Sequence, residues 1–361
     1  MHSSIFSSNT IRLSWKDWAA VICIVLLLFF MAPRWWSAVE PFNPAPSYRL
    51  PYNLSSDYWM FRQWCRYACS QHPLLILGDS VVWGQYVGMD QTLSYYLNET
   101  AGKDLCANIG VDGIHPAALA GLVRYYGKDI VHKKVIVNLN PLWMSSKKHD
   151  LGSEEEFRFN HPELVPQMIP NIACYRPTCN EVMGVVLERH IPFFSLINHI
   201  RINYFENLNI QDWNMQYPYA NPLSAITGDI PAPANRPKSK PVPWHERGIK
   251  TQDFPWIQPD ESFQWQSFKR VVNILLKRDN EVYILLGPFN PYILTEESSR
   301  RFQSMKSDME EWFRDNEVQY YSVPDLPSDY YADGSHPLRD GYKKIAVDLY
   351  TTESFRTWMN N

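Results

Sequence analysis

Charge of one sign is what this sequence most lacks. Across 361 residues, 34 Lys and Arg stand against 38 Asp and Glu, a net charge of −4, and no run of like charges breaks the balance. Duplex binding needs a concentrated basic footprint to displace counterions, so nucleic acid is excluded as the main partner. The signatures H-E-x-x-H, G-x-x-x-x-G-K-[ST] and G-x-S-x-G are also missing. Metallopeptidase, P-loop and α/β-hydrolase readings therefore lack support. No cofactor is implied, and no internal repeat is apparent. Glycine is scarce, 15 residues against 27 prolines, which points to long, stiffened irregular segments. With 45% hydrophobic and 20% charged residues the composition is that of a packed globular chain, long enough for one large domain or two ordinary ones.

Aromatic rings are what the chain has in quantity, 14 Trp and 21 Tyr. Such rings stack sugars or pack against partners, although most rings in any protein fill its core and loops. Residues 18–32 (WAAVICIVLLLFFMA) form an unbroken apolar run. Fifteen helical residues rise about 22 Å, short of the roughly 30 Å hydrocarbon core. The flanks supply the rest: Trp15 and Trp18 at one end, Trp35 and Trp36 at the other, with Arg34 able to snorkel outward. Residues 18–36 are thus expected to be a transmembrane anchor after a short segment 1–17. Arg12 and Lys16 precede the run and only Arg34 follows closely, so the N-terminus is expected in the cytoplasm and the body on the periplasmic or extracellular side. A cleaved signal peptide is the competing reading. Arg34-Trp35-Trp36-Ser37 offers no small-x-small cleavage site, which favours an uncleaved anchor.

Five cysteines lie outside the anchor. Cys65 with Cys69 and Cys174 with Cys179 make two close pairs, and disulfides in a translocated domain are the simpler account of them. A zinc site is the weaker one, because C-x3-C and C-x4-C depart from the usual C-x2-C. Cys106, in an apolar stretch, reads as a buried thiol.

Residues 37–72 read as a linker and a leading helix. From 73 to 352 the pattern becomes alternating strand and helix. Short apolar strands are expected at 74–77, 105–109, 135–139, 282–286 and 318–323. Helices are expected near 91–100, 116–126, 261–279 and 296–315, with a last one after His336. Such alternation predicts an α/β fold, a mostly parallel sheet covered on both faces in three α/β/α layers, with its site at the carboxyl ends of the strands. A long insertion, about 142–259, interrupts the rhythm and holds eight prolines between Pro222 and Pro259. It holds several amphipathic pieces, such as 181–190, and reads as a lid, a partner-binding arm or a partly disordered segment.

Four expected strands lead into unusual polar residues: Gly78-Asp79-Ser80, Asn108-Ile109-Gly110, Asn138-Leu139-Asn140 and, beyond the last, Asp333-Gly334-Ser335-His336. A serine hydroxyl becomes a nucleophile only when a neighbouring imidazole takes its proton. His336 fits that role for Ser80, with Asp333 three residues earlier to orient it. The amides of Ser80 and Gly110 and the side chain of Asn140 would form an oxyanion hole. Trp83, His115 and Trp143 are possible cleft residues, although a turn or N-cap role for Ser80, a helix-start role for His115 and plain packing for both tryptophans compete. Asp79 reads as a loop-fixing hydrogen bonder.

These four blocks, in this order, resemble the SGNH (GDSL-like) hydrolase superfamily over roughly residues 73–140 and 260–352. The third block departs from the usual G-x-N-D, keeping only its asparagine. The resemblance implies a flavodoxin-like fold and a serine esterase or O-acyltransferase using Ser80, Asp333 and His336. The anchor and insertion look more like members that modify envelope polysaccharides, which implies the membrane, an acylated carbohydrate and a multi-span membrane O-acyltransferase as partners. A catalytically silent scaffold holding partners at the membrane is the alternative.

Overall fold

The computed structural model describes residues 13–230, 232 and 235–360; Arg12 lies outside them. Helix α1 (Trp15–Val39) starts at a capping box, in which the Ser14 hydroxyl accepts the Asp17 N–H at 3.3 Å and the Asp17 carboxylate accepts the Ser14 N–H at 2.8 Å. Its 25 residues rise about 37 Å, so it is long and apolar enough to cross a membrane. It extends the expected 18–36 segment by about one turn at each end. Most of its side chains stand clear of the body, Phe30 being 68% exposed.

Five strands, β1 (Leu74–Leu77), β2 (Cys106–Asn108), β3 (Lys134–Leu139), β4 (Glu281–Leu286) and β5 (Gln319–Ser322), form one all-parallel sheet in the order β2-β1-β3-β4-β5. The helices that follow α1 are α2 (Tyr58–Gln71), α3 (Ser80–Trp83), α4 (Leu93–Ala101), α5 (Pro116–Tyr125), α6 (Cys179–His190), α7 (Pro192–Tyr204), α8 (Ile210–Gln216), α9 (Pro222–Ala225), α10 (Phe263–Leu276), α11 (Glu296–Asp315), α12 (Arg339–Thr351) and α13 (Glu353–Asn360). The central strands are largely apolar because both of their faces are buried. Leu75, Val137 and Ile284 enter a core shared with α2, α5, α10 and α11, whereas Leu74, Ile136 and Tyr283 enter a second core with α4, α12 and α13. The chain runs outward from β1 to β2, then returns past β1 to β3. The crevice where the order reverses lies between the carboxyl ends of β1 and β3, which carry Ser80 and Asn140.

Two expectations need correction. The described residues of the stretch 142–259 carry four α-helices, α6 to α9, of which α6 matches the amphipathic piece expected at 181–190, so what needs correcting is the partly disordered reading. The Asp150 carboxylate ties the stretch to the body by accepting the Phe263 and Gln264 N–H groups at the start of α10, at 3.0 Å each, and within the stretch Arg189 donates to the Glu163 and Val165 carbonyls. Capping boxes and long-range side-chain bonds of this kind leave little periodic signal in sequence. The cysteines are also unpaired: all six are free thiols, with Cys65, Cys69, Cys106 and Cys174 buried. Cys65 and Cys69 sit on successive turns of α2, and the Cys174 thiol bonds the Leu151 carbonyl at 3.5 Å. Burial among apolar neighbours accounts for these thiols.

Candidate active site

β1 ends in Gly78, and a Cβ there would lie 2.5 Å from the Val82 side chain and 2.9 Å from that of Asn138. Only glycine lets the chain turn so closely from strand into helix. Asp79 then caps α3, its carboxylate accepting the Val81 N–H at 2.9 Å. Ser80 is therefore the first residue of a one-turn helix, its N–H one of the amides that a helix leaves without an internal partner.

The histidine loop is built separately. Asn290, beyond β4, donates its side-chain N–H to the Asp333 carbonyl at 3.0 Å and its backbone N–H to the Gly334 carbonyl at 2.8 Å. The Asp333 carboxylate accepts the Ser335 and His336 N–H groups, both at 3.0 Å. The same carboxylate lies 2.8 Å from His336 Nδ1, and His336 Nε2 lies 2.8 Å from Ser80 Oγ. Residues 256 positions apart thus form one continuous chain of hydrogen bonds.

Electrostatics follow from that geometry. Burial raises the Asp333 carboxyl, but the His336 ring and three N–H donors outweigh it and hold the group below the usual carboxylate range. Burial disfavours charge on His336, yet Asp333, with Asp79 and Asp112 farther off, lifts it above an ordinary imidazole. Burial pushes Asp79 up; its own donors only partly offset that. Tyr86, whose ring meets His336 edge-on at 5.5 Å, is pushed up to about 12 by burial and by Asp333.

The other residues expected at the site divide into two groups. Asn140 and Trp143 join it: Asn140 Nδ2 donates to Asp79 at 2.8 Å and to Ser335 Oγ at 3.2 Å, and Trp143 Nε1 donates to the same Asp79 oxygen at 2.8 Å. Gly110 packs on α3, where a Cβ would lie 2.8 Å from the Trp83 nitrogen, while its own N–H is taken by Asn108 Oδ1 at 3.0 Å. The Asn140 and Gly110 donors are therefore already engaged, and only the Ser80 N–H lacks a partner within its element. Asn138 spends its side-chain N–H groups on the Leu285 and Gly287 carbonyls.

Trp83 and His115, the latter packed 5.7 Å from the Trp143 ring, spend their polar atoms elsewhere. Trp83 is buried, with its Nε1 on the Leu50 carbonyl at 2.6 Å. His115 caps α5 and bonds the Asn160 carbonyl at 3.1 Å, and burial lowers it to about 3, so it is neutral.

Sequence reading missed three contributors. Arg49, in the presumed linker, is almost wholly buried and donates to the Trp83, Gly84 and Val87 carbonyls at 2.8, 2.7 and 3.0 Å, stacking 3.9 Å over the Trp83 ring. A cation on the last carbonyls of α3 holds the serine turn from behind; burial lowers its guanidinium to about 10. Tyr342 of α12 donates to the Val81 carbonyl at 2.6 Å. Residues 238–247 of the insertion run beside the site: Lys238 pairs with Asp112, its N–H and that of Ser239 bond the Gln85 carbonyl, Arg247 lies 4.7 Å over Tyr86, and the Trp244 N–H bonds the Tyr331 carbonyl at 2.9 Å. A lone arginine before a helix and a lysine in a Pro-rich loop carry no local signal of these contacts.

Compared with models of protein families and with curated proteins, the chain shows no match.

Proposed function

We propose that the chain is a serine acyl-transfer enzyme of SGNH type, with three α/β/α layers, anchored by α1 with its body outside the cytoplasm. More particularly, it is an O-acyl esterase or O-acyltransferase acting on an acylated envelope glycan. The observation that carries this reading is the Ser80–His336–Asp333 chain, 2.8 Å at each link, at the crevice where the parallel strand order reverses. The strand order and the two buried cores also support the layered reading.

Ser80 Oγ attacks the acyl carbonyl as its proton passes to His336 Nε2. The imidazolium, stabilised by Asp333, returns that proton to the departing alkoxide, leaving an acyl-Ser80. Water or a sugar hydroxyl then gives its proton to His336 and takes the acyl group, restoring Ser80. The amide of Ser80 supports the oxyanion, joined by Gly110 and Asn140 if their present bonds yield. The position of residues 238–247 beside the site supports transfer over hydrolysis, since a segment there would limit water. A multi-span membrane acyltransferase would supply such a donor.

A fluorophosphonate probe tests the nucleophile: Ser80 should be labelled, and full labelling of Ser80→Ala would sink the assignment. Incubation with an acetyl donor and glycan acceptor separates the outcomes, since free acetate alone would count against transfer. The engaged amides of Gly110 and Asn140 favour a second reading, a catalytically silent scaffold holding partners at the membrane. That reading requires Ser80→Ala and His336→Ala to leave the cellular phenotype intact.

A further inference from the structure

A sizeable cavity lies away from Ser80. It holds about 610 Å³ and lies where α1 meets α2 and the turn between α6 and α7. Its walls differ in chemistry. Leu26, Phe29 and Phe30, from the apolar run of α1, form one part, and Phe29 is fixed by stacking on Phe193 at 4.1 Å. Arg34, Arg62 and Arg66 form another, and no acidic side chain lines the cavity. Among the described residues Arg34 and Arg62 have no ion-pair partner, and Arg66 has only a 3.7 Å contact with Asp129 in which both side chains are substantially exposed.

The level of the cavity along α1 matters as much as its lining. Leu26, Leu27 and Phe30 are 51%, 54% and 68% exposed, as side chains facing hydrocarbon would be. One turn later come Arg34 and Trp35, the pair of residue types that marks a headgroup region. The cavity spans that transition. Three guanidiniums at the rim call for an anion, and they match phosphate geometry well. The apolar wall beneath calls for a chain of methylenes. One molecule carries both.

We propose that this cavity binds a single anionic phospholipid from the leaflet on the side of the body, its phosphate among Arg34, Arg62 and Arg66 and an acyl chain along Leu26, Phe29 and Phe30. The site rests on the anchor reading given above. Because α1, α2 and α7 all meet there, a bound lipid fixes how the body stands on the membrane.

The test uses the full chain in mild detergent, followed by native mass spectrometry during titration with phosphatidylglycerol or phosphatidylcholine. One phosphatidylglycerol should be retained, at a half-saturation at least ~10-fold below that of phosphatidylcholine. The variant R34Q/R62Q/R66Q should lose that preference, at roughly fivefold per guanidinium. The variant R34K/R62K/R66K should keep most of it, with both unfolding near the wild-type temperature. Equal affinity for the two lipids, or undiminished phosphatidylglycerol binding by the glutamine variant, would overturn the proposal. So would displacement of the lipid by an equal concentration of inorganic phosphate, which would make the site one for a soluble anion. Release of the chain from membranes by alkaline carbonate would overturn the anchor and the lipid site together. Retention in the membrane without lipid preference would overturn the lipid site alone.

Discussion

Two buried histidines, His336 beside Ser80 and His199 where α1 meets the body, face carboxylates in different ways. His336 has Asp333 on one nitrogen and the Ser80 hydroxyl on the other. His199 has Asp57 at 2.6 Å on Nδ1 and Glu40 at 2.8 Å on Nε2, with the Tyr204 hydroxyl also donating to Glu40. Burial opposes charge on His199, but the two carboxylates overcome it and raise the ring to about 9. A histidine held by acids on both sides is a fixed cation. One held by a single acid keeps a nitrogen for a proton in transit. The first joins Glu40, just past the end of α1, to the cap of α2 and to α7; the second suits a base.

That contrast is broken most severely at the nucleophile. Ser80→Ala and His336→Ala should each lower esterase turnover by about 10⁴-fold or more, with the melting temperature little changed. A loss of stability that matched the loss of activity would make the Ser80–His336 bond structural. At the other histidine the pattern should invert. His199→Leu leaves two buried carboxylates without a cation and should destabilise by roughly 3–5 kcal/mol in denaturant titration, while folded molecules still take a fluorophosphonate label.

The pH dependence sharpens the same contrast. The folded pKa of His199, about 9, lies above the ordinary value of about 6.5. Its contribution, on the order of 3 kcal/mol, is therefore complete below about pH 6.5 and is lost as pH rises through 9. Melting temperatures taken from pH 6 to pH 10 should fall across that window in the wild type and stay flat in His199→Leu. Catalysis should run the other way. Since His336 must be neutral to accept a proton and its pKa is raised, kcat/KM should climb with pH at a midpoint above that of free imidazole. Asp333→Asn should move that midpoint down; an unmoved midpoint would mean another group limits the rate.

The mildest test concerns support for the serine turn. Arg49→Met frees three carbonyls behind α3 and should cost about 2–3 kcal/mol in stability, with activity per folded molecule reduced severalfold. If Arg49→Met matches the wild type in both, the arginine does not position Ser80.

The central strands were legible because a strand buried on both faces is apolar along most of its length, as in Leu74–Leu77, and each is short enough to stand out between polar turns. The polar residues at their ends were legible for a related reason. Asp333 and His336 lie three residues apart, so one loop brings them together whatever the rest of the chain does. The bridge from His336 to Ser80 was an expectation of order along the chain, and sheet topology is what brings these distant loops to 2.8 Å. Other features left no trace in sequence. Arg49 and Tyr342 act through backbone carbonyls, which any residue type supplies. The directions of the Asn140 and Gly110 N–H groups depend on competing partners within about 3 Å.

Residue type and local spacing, then, determined the apolar N-terminal helix, the alternating strands and the chemistry available at their ends. Only the tertiary structure decided which donors are already engaged, that the cysteines stay unpaired, that residues 238–247 lie against the site, and that His199 carries a fixed charge. The physical reason is range. Periodicity and turn chemistry act over a few residues, whereas hydrogen-bond satisfaction, burial and pKa depend on groups that only folding brings within contact.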